Sequence, residues 1–245
     1  MIRVAAAGDL HCRADSVGLF SRWLTQVNEV ADVLLLAGDL TNWGERDEAE
    51  VLAKELACIR IPTLCVFGNH DYHNEQPEVV REVLEDAGAI VLEKESTVVE
   101  VRGETLGVVG TKGFAGGFGQ ACIAPFGEPE IKMFLRETYA CAEAIETGLK
   151  TLETDFRVVL LHYSPIQETL KGETVGVYPF LGSSILGEPI DEHGADLVLH
   201  GHAHKGTEHG QTPGGIPVRN CSIPVLGKPY ALYELQHAQV PVTPH

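Results

Sequence analysis

The sequence predicts an α/β fold built on a parallel sheet, and three features predict it. Apolar, strand-length runs alternate with segments of helical periodicity through the first third of the chain. Polar residues of metal-ligand type follow directly after several of those runs, as happens where strands of one sheet open onto a common crevice. No second hydrophobic core, internal repeat or low-complexity linker interrupts the 245 residues. A single domain over residues 1–236 with a loose tail at 237–245 is therefore expected.

Ile2–Ala7 is the first expected strand, and Ser16–Val30 the first helix, with Val17, Phe20, Leu24, Val27 and Val30 at helical spacing. Val33–Ala37 is the second strand, Glu45–Cys58 a helix with an acidic first turn, and Pro62–Phe67 the third strand. Such alternation implies parallel pairing through right-handed crossovers. Pro77–Ala87 reads as a helix ending at Gly88. The pattern then changes: Thr97–Val101 and Thr105–Val109, joined around Arg102-Gly103, read as a hairpin. A long helix over Pro129–Thr151 precedes a strand at Arg157–Leu161, and Tyr163–Leu181 reads as a loop. Ser183–Glu192 is a short helix, and Leu197–Leu199, Ile216–Asn220 and Tyr230–Leu235 are the closing strands. Gly113–Thr151 and Tyr163–Ser183 are candidate walls of a site, with Phe114 and Tyr163 the aromatic residues best placed to stack on a ligand ring.

The composition, 44% hydrophobic and 22% charged, is that of an ordinary globular protein, but the formal net charge of −17 is not. An acidic surface repels polyanions and no Lys/Arg cluster marks a track, so nucleic acid is disfavoured as a partner. Six cysteines without a CxxC pair read as free thiols, and Cys12, beside the first motif, is off the ligand positions. No apolar run approaches the roughly 20 residues of a membrane span, and no signal peptide is visible, so the expected compartment is the cytoplasm. The sequence carries no signal for oligomeric state.

The chemistry lies in five motifs: Asp9-Leu10-His11, Gly38-Asp39, Gly68-Asn69-His70-Asp71, His162 and Gly201-His202-Ala203-His204. Carboxylate, amide and imidazole ligands suit divalent transition metals. Asp9 and His11 are separated by one residue, which on an extended segment sends both side chains to one side; His202 and His204 repeat that spacing. His200, inside a strand, reads as a core residue, and His73 lies close enough to the third motif to reach a substrate.

In their order, DxH, GD, GNH[DE], a lone His after a strand and GHxH, these motifs resemble those of the calcineurin-like metallophosphoesterases, from Asp9 to His204. The resemblance implies a four-layer α-β-β-α sandwich with two central mixed sheets. It implies one metal at Asp9, His11, Asp39 and His204, a second at Asp39, Asn69, His162 and His202, and a non-ligating His70 that assists the leaving oxygen. Manganese is the first choice for the two divalent ions, with iron or zinc as the others. The implied activity is hydrolysis of a small-molecule phosphoester by in-line attack of a metal-bridging hydroxide. Asp71 either orients His70 or holds its loop. The protein Ser/Thr phosphatases of this family place an Asp and an Arg where this chain has Asn42 and Trp43, and the Arg after their GNHE has no counterpart in Tyr72-His73-Asn74. Fewer cationic donors suit the lower charge of a diester, which points to a phosphodiesterase. The rival readings are a phosphomonoesterase or protein phosphatase, a nuclease, and a protein-binding scaffold that has lost catalysis.

Overall fold

The computed structural model describes residues 1–237; residues 238–245, most of the expected tail, lie outside the described residues. The elements of the first half are β1 (Ile2–Ala7), α1 (Ser21–Val30), β2 (Val33–Ala37), α2 (Arg46–Leu56), β3 (Thr63–Val66), α3 (Pro77–Asp86), β4 (Ile90–Val91) and the hairpin β5 (Glu95–Val101) and β6 (Glu104–Gly110). There follow α4 (Pro129–Thr151), β7 (Phe156–Leu160), α5 (Tyr178–Leu181), α6 (Ser184–His193), β8 (Leu197–His200), β9 (His209–Gln211), β10 (Pro217–Asn220), α7 (Ile223–Leu226) and β11 (Ala231–Leu235).

β2 and β3 are buried at every position because both of their faces are covered. One sheet has the order β11-β1-β2-β3-β4 and the other β5-β6-β7-β8-β10-β9. In the first, β1 to β4 pair in parallel and β11 runs antiparallel beside β1. In the second, β6, β7, β8 and β10 are parallel, while β5 and β9 are antiparallel at the two edges. Alternate residues sort the side chains into layers. Ala5, Ala7, Leu34, Leu36 and Cys65 face Trp23, Leu24, Leu52 and Leu84 of the first three helices. Val4, Ala6, Leu35 and Val66 meet Val108, Val158, Leu160 and Leu199 between the sheets. Val109, Val159 and Val198 face Ile145, Leu149, Leu186 and Ile190 of α4 and α6. The molecule is thus an α/β four-layer sandwich with two mixed sheets.

Most expected elements are present within a residue or two, and three depart from expectation. The first helix starts at Ser21 rather than Ser16. Ser16 instead closes a turn, its Oγ accepting the Arg13 N–H at 3.0 Å, and Val17 and Leu19 lie exposed. What starts α1 is a distant group: the Glu55 carboxylate of α2 accepts the N–H groups of Gly18, Phe20 and Ser21 at 2.8, 2.9 and 2.7 Å. Second, the expected loop over Tyr163–Leu181 contains two 3-10 turns and the single-turn α5. Third, His237, placed in the tail by the sequence, packs on Phe156 with ring centroids 4.6 Å apart. The hairpin turn follows its sequence: Arg102 and Gly103 both take positive φ, 55° and 79°, the two-residue geometry that matches strand twist. Among the described residues no helix is long and apolar enough to cross a membrane.

Candidate metal centre

The C-terminal ends of β1, β2 and β3 from one sheet and of β7 and β8 from the other meet at one rim, and every motif follows one of those ends. Beyond β1 and β2 the chain continues as two loops zipped together, with Asp9 N–H donating to Gly38 O, His11 N–H to Asp39 O and Cys12 N–H to Leu40 O, each at 2.9 Å. Backbone dihedrals within these loops correct the expectation drawn from the DxH and HxH spacing. Asp9, His11, Asp39 and His202 do not lie on extended chain; their φ angles are 61°, 45°, 47° and 68°. They are four of the seven non-glycine residues with positive φ among the described residues. Convergence comes from left-handed turns that aim each side chain individually, a conformation costing on the order of 1 kcal/mol or more per residue.

That strain is held by neighbours. Asp71, fully buried, accepts hydrogen bonds from Gly68 N at 2.8 Å, Leu40 N at 3.1 Å, Thr41 N at 2.8 Å and Thr41 Oγ1 at 2.6 Å. It therefore ties the loop after β3 to the loop after β2 rather than orienting the His70 ring. Burial and the nearby Asp39 charge push its carboxyl up to about 6, against the pull of those donors. Glu48 of α2 accepts the N–H groups of Asn42 and Trp43 at 3.1 and 2.7 Å, and Asn220 Nδ2 donates to Ala203 O at 2.8 Å, fixing the loops on either side. Two glycines are required by close approach. A Cβ on Gly68 would lie 2.1 Å from Asp39 Oδ1, and one on Gly38, itself at φ +82°, would lie 2.6 Å from His162 Nδ1.

Two groups of side chains result, sharing Asp39. Asp9, His11, Asp39 and His204 bring one ligand atom each within 4.8 Å of one another, and Asp39, His162 and His202 do the same. Asn69 joins the second group, its Oδ1 lying 3.1 Å from His162 Nε2. His70 stands beside the first, its ring centroid 4.5 Å from that of His11. All eight residues singled out in the sequence are thus at the rim. Cys12 lies in neither group; it is fully buried, and burial together with Glu48 and Glu55 pushes its thiol up to about 12.

Tautomers decide whether a cation fits. His162 Nδ1 donates to Ala37 O at 2.9 Å, and His202 Nε2 donates to Phe180 O at 3.3 Å. Carbonyls only accept, so the opposite ring nitrogens carry lone pairs. Those two nitrogens face each other at 3.1 Å, with Asn69 Oδ1 and Asp39 Oδ1 at 3.1 and 3.4 Å from His162 Nε2. Lone pairs converging without a hydrogen between them require an electrophile, and two nitrogens with two oxygens suit a divalent transition cation. Burial foremost pushes His202 down to about 3, and burial lowers His11 despite Asp39 and Asp9. The His202 ring is therefore neutral near pH 7 and can ligate without first losing a proton, and the lowering at His11 acts in the same direction. In the first group His204 Nε2 lies 2.8 Å from Asp9 Oδ1. Burial pushes the Asp9 carboxyl up, but the His204 hydrogen bond and the neighbouring imidazoles outweigh it and hold it at about 2. His11 Nδ1 is buried with no hydrogen-bond partner among the described residues.

His70 Nδ1 is 2.7 Å from the carbonyl of Asn42 and donates to it. The main chain of Asn42 thus holds the His70 ring, a contact that side-chain identity conceals. His200 is a neutral core residue, brought down to about 4 by burial, donating to Gly201 O and accepting from Thr169 Oγ1, each at 2.8 Å. His73 is exposed, its ring 4.7 Å from Trp43. Sequence reading passed over Lys112, at the exit of β6, which lines a cleft of about 420 Å³ with Asn69, Phe114 and Tyr163. The strand-exit rule that located the motifs would have found it.

Similarity agrees with the geometry. No curated protein sequence matches the chain. Among solved structures, phosphopantetheinyl hydrolase from Mycobacterium tuberculosis superposes with a TM-score of 0.67 at 14% identity, covering 89% of this chain and 88% of that one. The protein TT1561 of Thermus thermophilus gives a TM-score of 0.53 at 18% identity, covering 89% and 88%. Identities this low establish the fold alone. The family model for calcineurin-like phosphoesterases matches residues 2–206, across both ligand groups, and this chain belongs to that family, whose members work through a dinuclear metal centre.

Proposed function

We propose that this chain hydrolyses small-molecule phosphoesters, phosphodiesters foremost, with Asp9, His11, Asp39 and His204 holding one divalent cation and Asp39, Asn69, His162 and His202 the other. The observation that carries the reading is the pair of ligand groups sharing one carboxylate. Two cations held there, manganese foremost, would supply an activated water and neutralise charge developing on the phosphoryl oxygens. The remaining work falls to the chain. Asp39 would serve both sites, and the carbonyls of Ala37 and Phe180 fix the tautomers of His162 and His202. His70, its Nδ1 committed to Asn42 O, is left with Nε2 to hold and deliver a proton to the leaving oxygen.

The preference for a diester rests on the rim beside His70. Trp43 lies there with its ring 6.5 Å from His70 and 4.7 Å from His73, where the phosphatase pattern has a guanidinium. A site with fewer cationic donors favours the ester of lower charge. The six free cysteines fit a reducing compartment such as the cytoplasm.

The test is hydrolysis by metal-stripped protein reloaded with manganese, iron or zinc. Bis(p-nitrophenyl) phosphate is expected to exceed p-nitrophenyl phosphate by at least about tenfold in kcat/KM. His70→Ala is expected to lower kcat about 10²–10⁴-fold on a phenyl leaving group and less on p-nitrophenolate, which leaves without a proton. A faster monoester reverses the preference, and inactivity with all three metals favours the scaffold.

A further inference from the structure

Next to the candidate metal centre lies a buried cation that, among the described residues, forms no ion pair with a carboxylate. The cleft of about 420 Å³ that begins at Asn69 is lined by Tyr72, Lys94, Lys112, Phe114, Glu137 and Tyr163. Its wall is continuous with the centre, because the Tyr163 ring lies 4.4 Å from that of His202. Lys112 is only 7% exposed, and its Nζ sits over three rings, 4.6 Å from the centroid of Phe114 and 5.3 Å from those of Tyr72 and Tyr163.

An ammonium has three donors, and Lys112 Nζ gives one, to Gly113 O at 3.0 Å. Among the described residues it forms no ion pair. Of the nearby carboxylates, Glu137 accepts from Lys94 Nζ at 2.6 Å, and Glu93 Oε1 accepts from Thr111 Oγ1 at 3.2 Å and from the Lys112 main-chain N–H at 3.3 Å, so Glu93 lies within electrostatic reach of Lys112 without pairing with its Nζ. Burying an ammonium without a directly paired carboxylate costs several kcal/mol, which cation–π contacts of about 0.5–2 kcal/mol each offset in part. In a chain of net charge −17, a buried cation with donors to spare that faces a cleft is arranged for an anionic ligand.

We propose that Lys112 is a specificity residue: it takes an anionic oxygen at the far end of the substrate's non-leaving arm, and the rings of Tyr72, Phe114 and Tyr163 enclose a planar group in that arm. The preferred substrate is then a phosphodiester with a flat, ring-containing arm that ends in a carboxylate or a second phosphate. This rests on the phosphodiesterase reading above and adds the identity of the arm.

Two mixed diesters isolate the effect: p-nitrophenyl 4-carboxyphenyl phosphate and its methyl-ester counterpart, p-nitrophenyl 4-(methoxycarbonyl)phenyl phosphate. Both release p-nitrophenolate and differ only in the charge at the end of the other ring. Manganese-loaded wild type is expected to favour the carboxylate by at least about tenfold in kcat/KM, mostly through KM. Lys112→Met, which keeps the stem against the rings, is expected to abolish that preference. Lys150→Met, on an exposed lysine at the opposite end of β7 from the rim, is expected to retain it. Equal kcat/KM for the two esters with wild type overturns the assignment without recourse to any variant, and leaves the phosphodiesterase reading standing. A preference that survives Lys112→Met also overturns it, while failure to hydrolyse either ester removes both readings.

Discussion

Asp39 belongs to both ligand groups, is 1% exposed, and holds a left-handed backbone conformation at φ 47°. Its Oδ1 also accepts the His70 N–H at 2.8 Å, so the carboxylate common to the two candidate groups positions the residue proposed as proton donor. Losing it removes a ligand from each site at once, whereas losing His204 removes one from a single site. Metal content by plasma mass spectrometry is therefore expected to fall from two cations per chain towards none in Asp39→Asn, and to about one in His204→Asn. Two cations retained in Asp39→Asn would exclude the shared-carboxylate assignment. The same scale shows why the glycines beside the ligands were informative in sequence: at Gly68 and Gly38 a methyl group would occupy the space of Asp39 or His162.

Among the elements, Asp32 links three parts of the framework. Its carboxylate accepts from Arg3 N, Nε and Nη2 of β1 at 2.9, 3.1 and 2.7 Å, and pairs with Arg102 Nε of the β5–β6 turn at 3.0 Å. Burial pushes the Asp32 carboxyl up, but the Arg3 hydrogen bonds and the two guanidinium charges outweigh it and bring it below the ordinary range. A carboxyl depressed in the folded state stabilises the fold above its unfolded pKa, near 4, and that contribution disappears as pH falls through the folded value. Asp32→Asn is expected to lose about 1–3 kcal/mol at pH 7, and the gap to wild type is expected to narrow steadily below about pH 4. Urea unfolding at a series of pH values measures it, and a gap independent of pH would exclude the ionic role.

For the whole molecule, what matters is that both ligand groups span two sheets. Asp9, His11, Asp39 and Asn69 follow strands of one sheet, and His162, His202 and His204 follow strands of the other. Bound cations would therefore clamp the two sheets together at the rim. Manganese at about a hundred times its Kd is expected to add about 2.7 kcal/mol per site. One such site would raise Tm by roughly 5–10 °C over the EDTA-treated protein. Calorimetry of the two forms checks it, and identical transitions would rule out such a clamp.

The succession of strands and helices and the side chains able to meet a metal were legible in the sequence because both rest on local chemistry. An apolar run such as Val33–Ala37 can only be satisfied between two covered faces, and an Asp or His at its exit has little reason to be there except to bind. The long helix Pro129–Thr151 was legible to the residue, since Pro129 suits a first turn and the apolar spacing persists to the end. What escaped sequence reading was non-local or carried by the main chain. The late start of α1 is set by Glu55, some 34 residues away; the Asn42, Ala37 and Phe180 carbonyls that orient His70, His162 and His202 leave no mark in residue identity. By itself, then, the sequence determined the class of fold and which side chains could meet a metal. Only the tertiary structure decided the left-handed turns that aim Asp9, His11, Asp39 and His202, and the cleft that encloses Lys112, because turn conformation and burial are set by contacts between segments far apart in the chain.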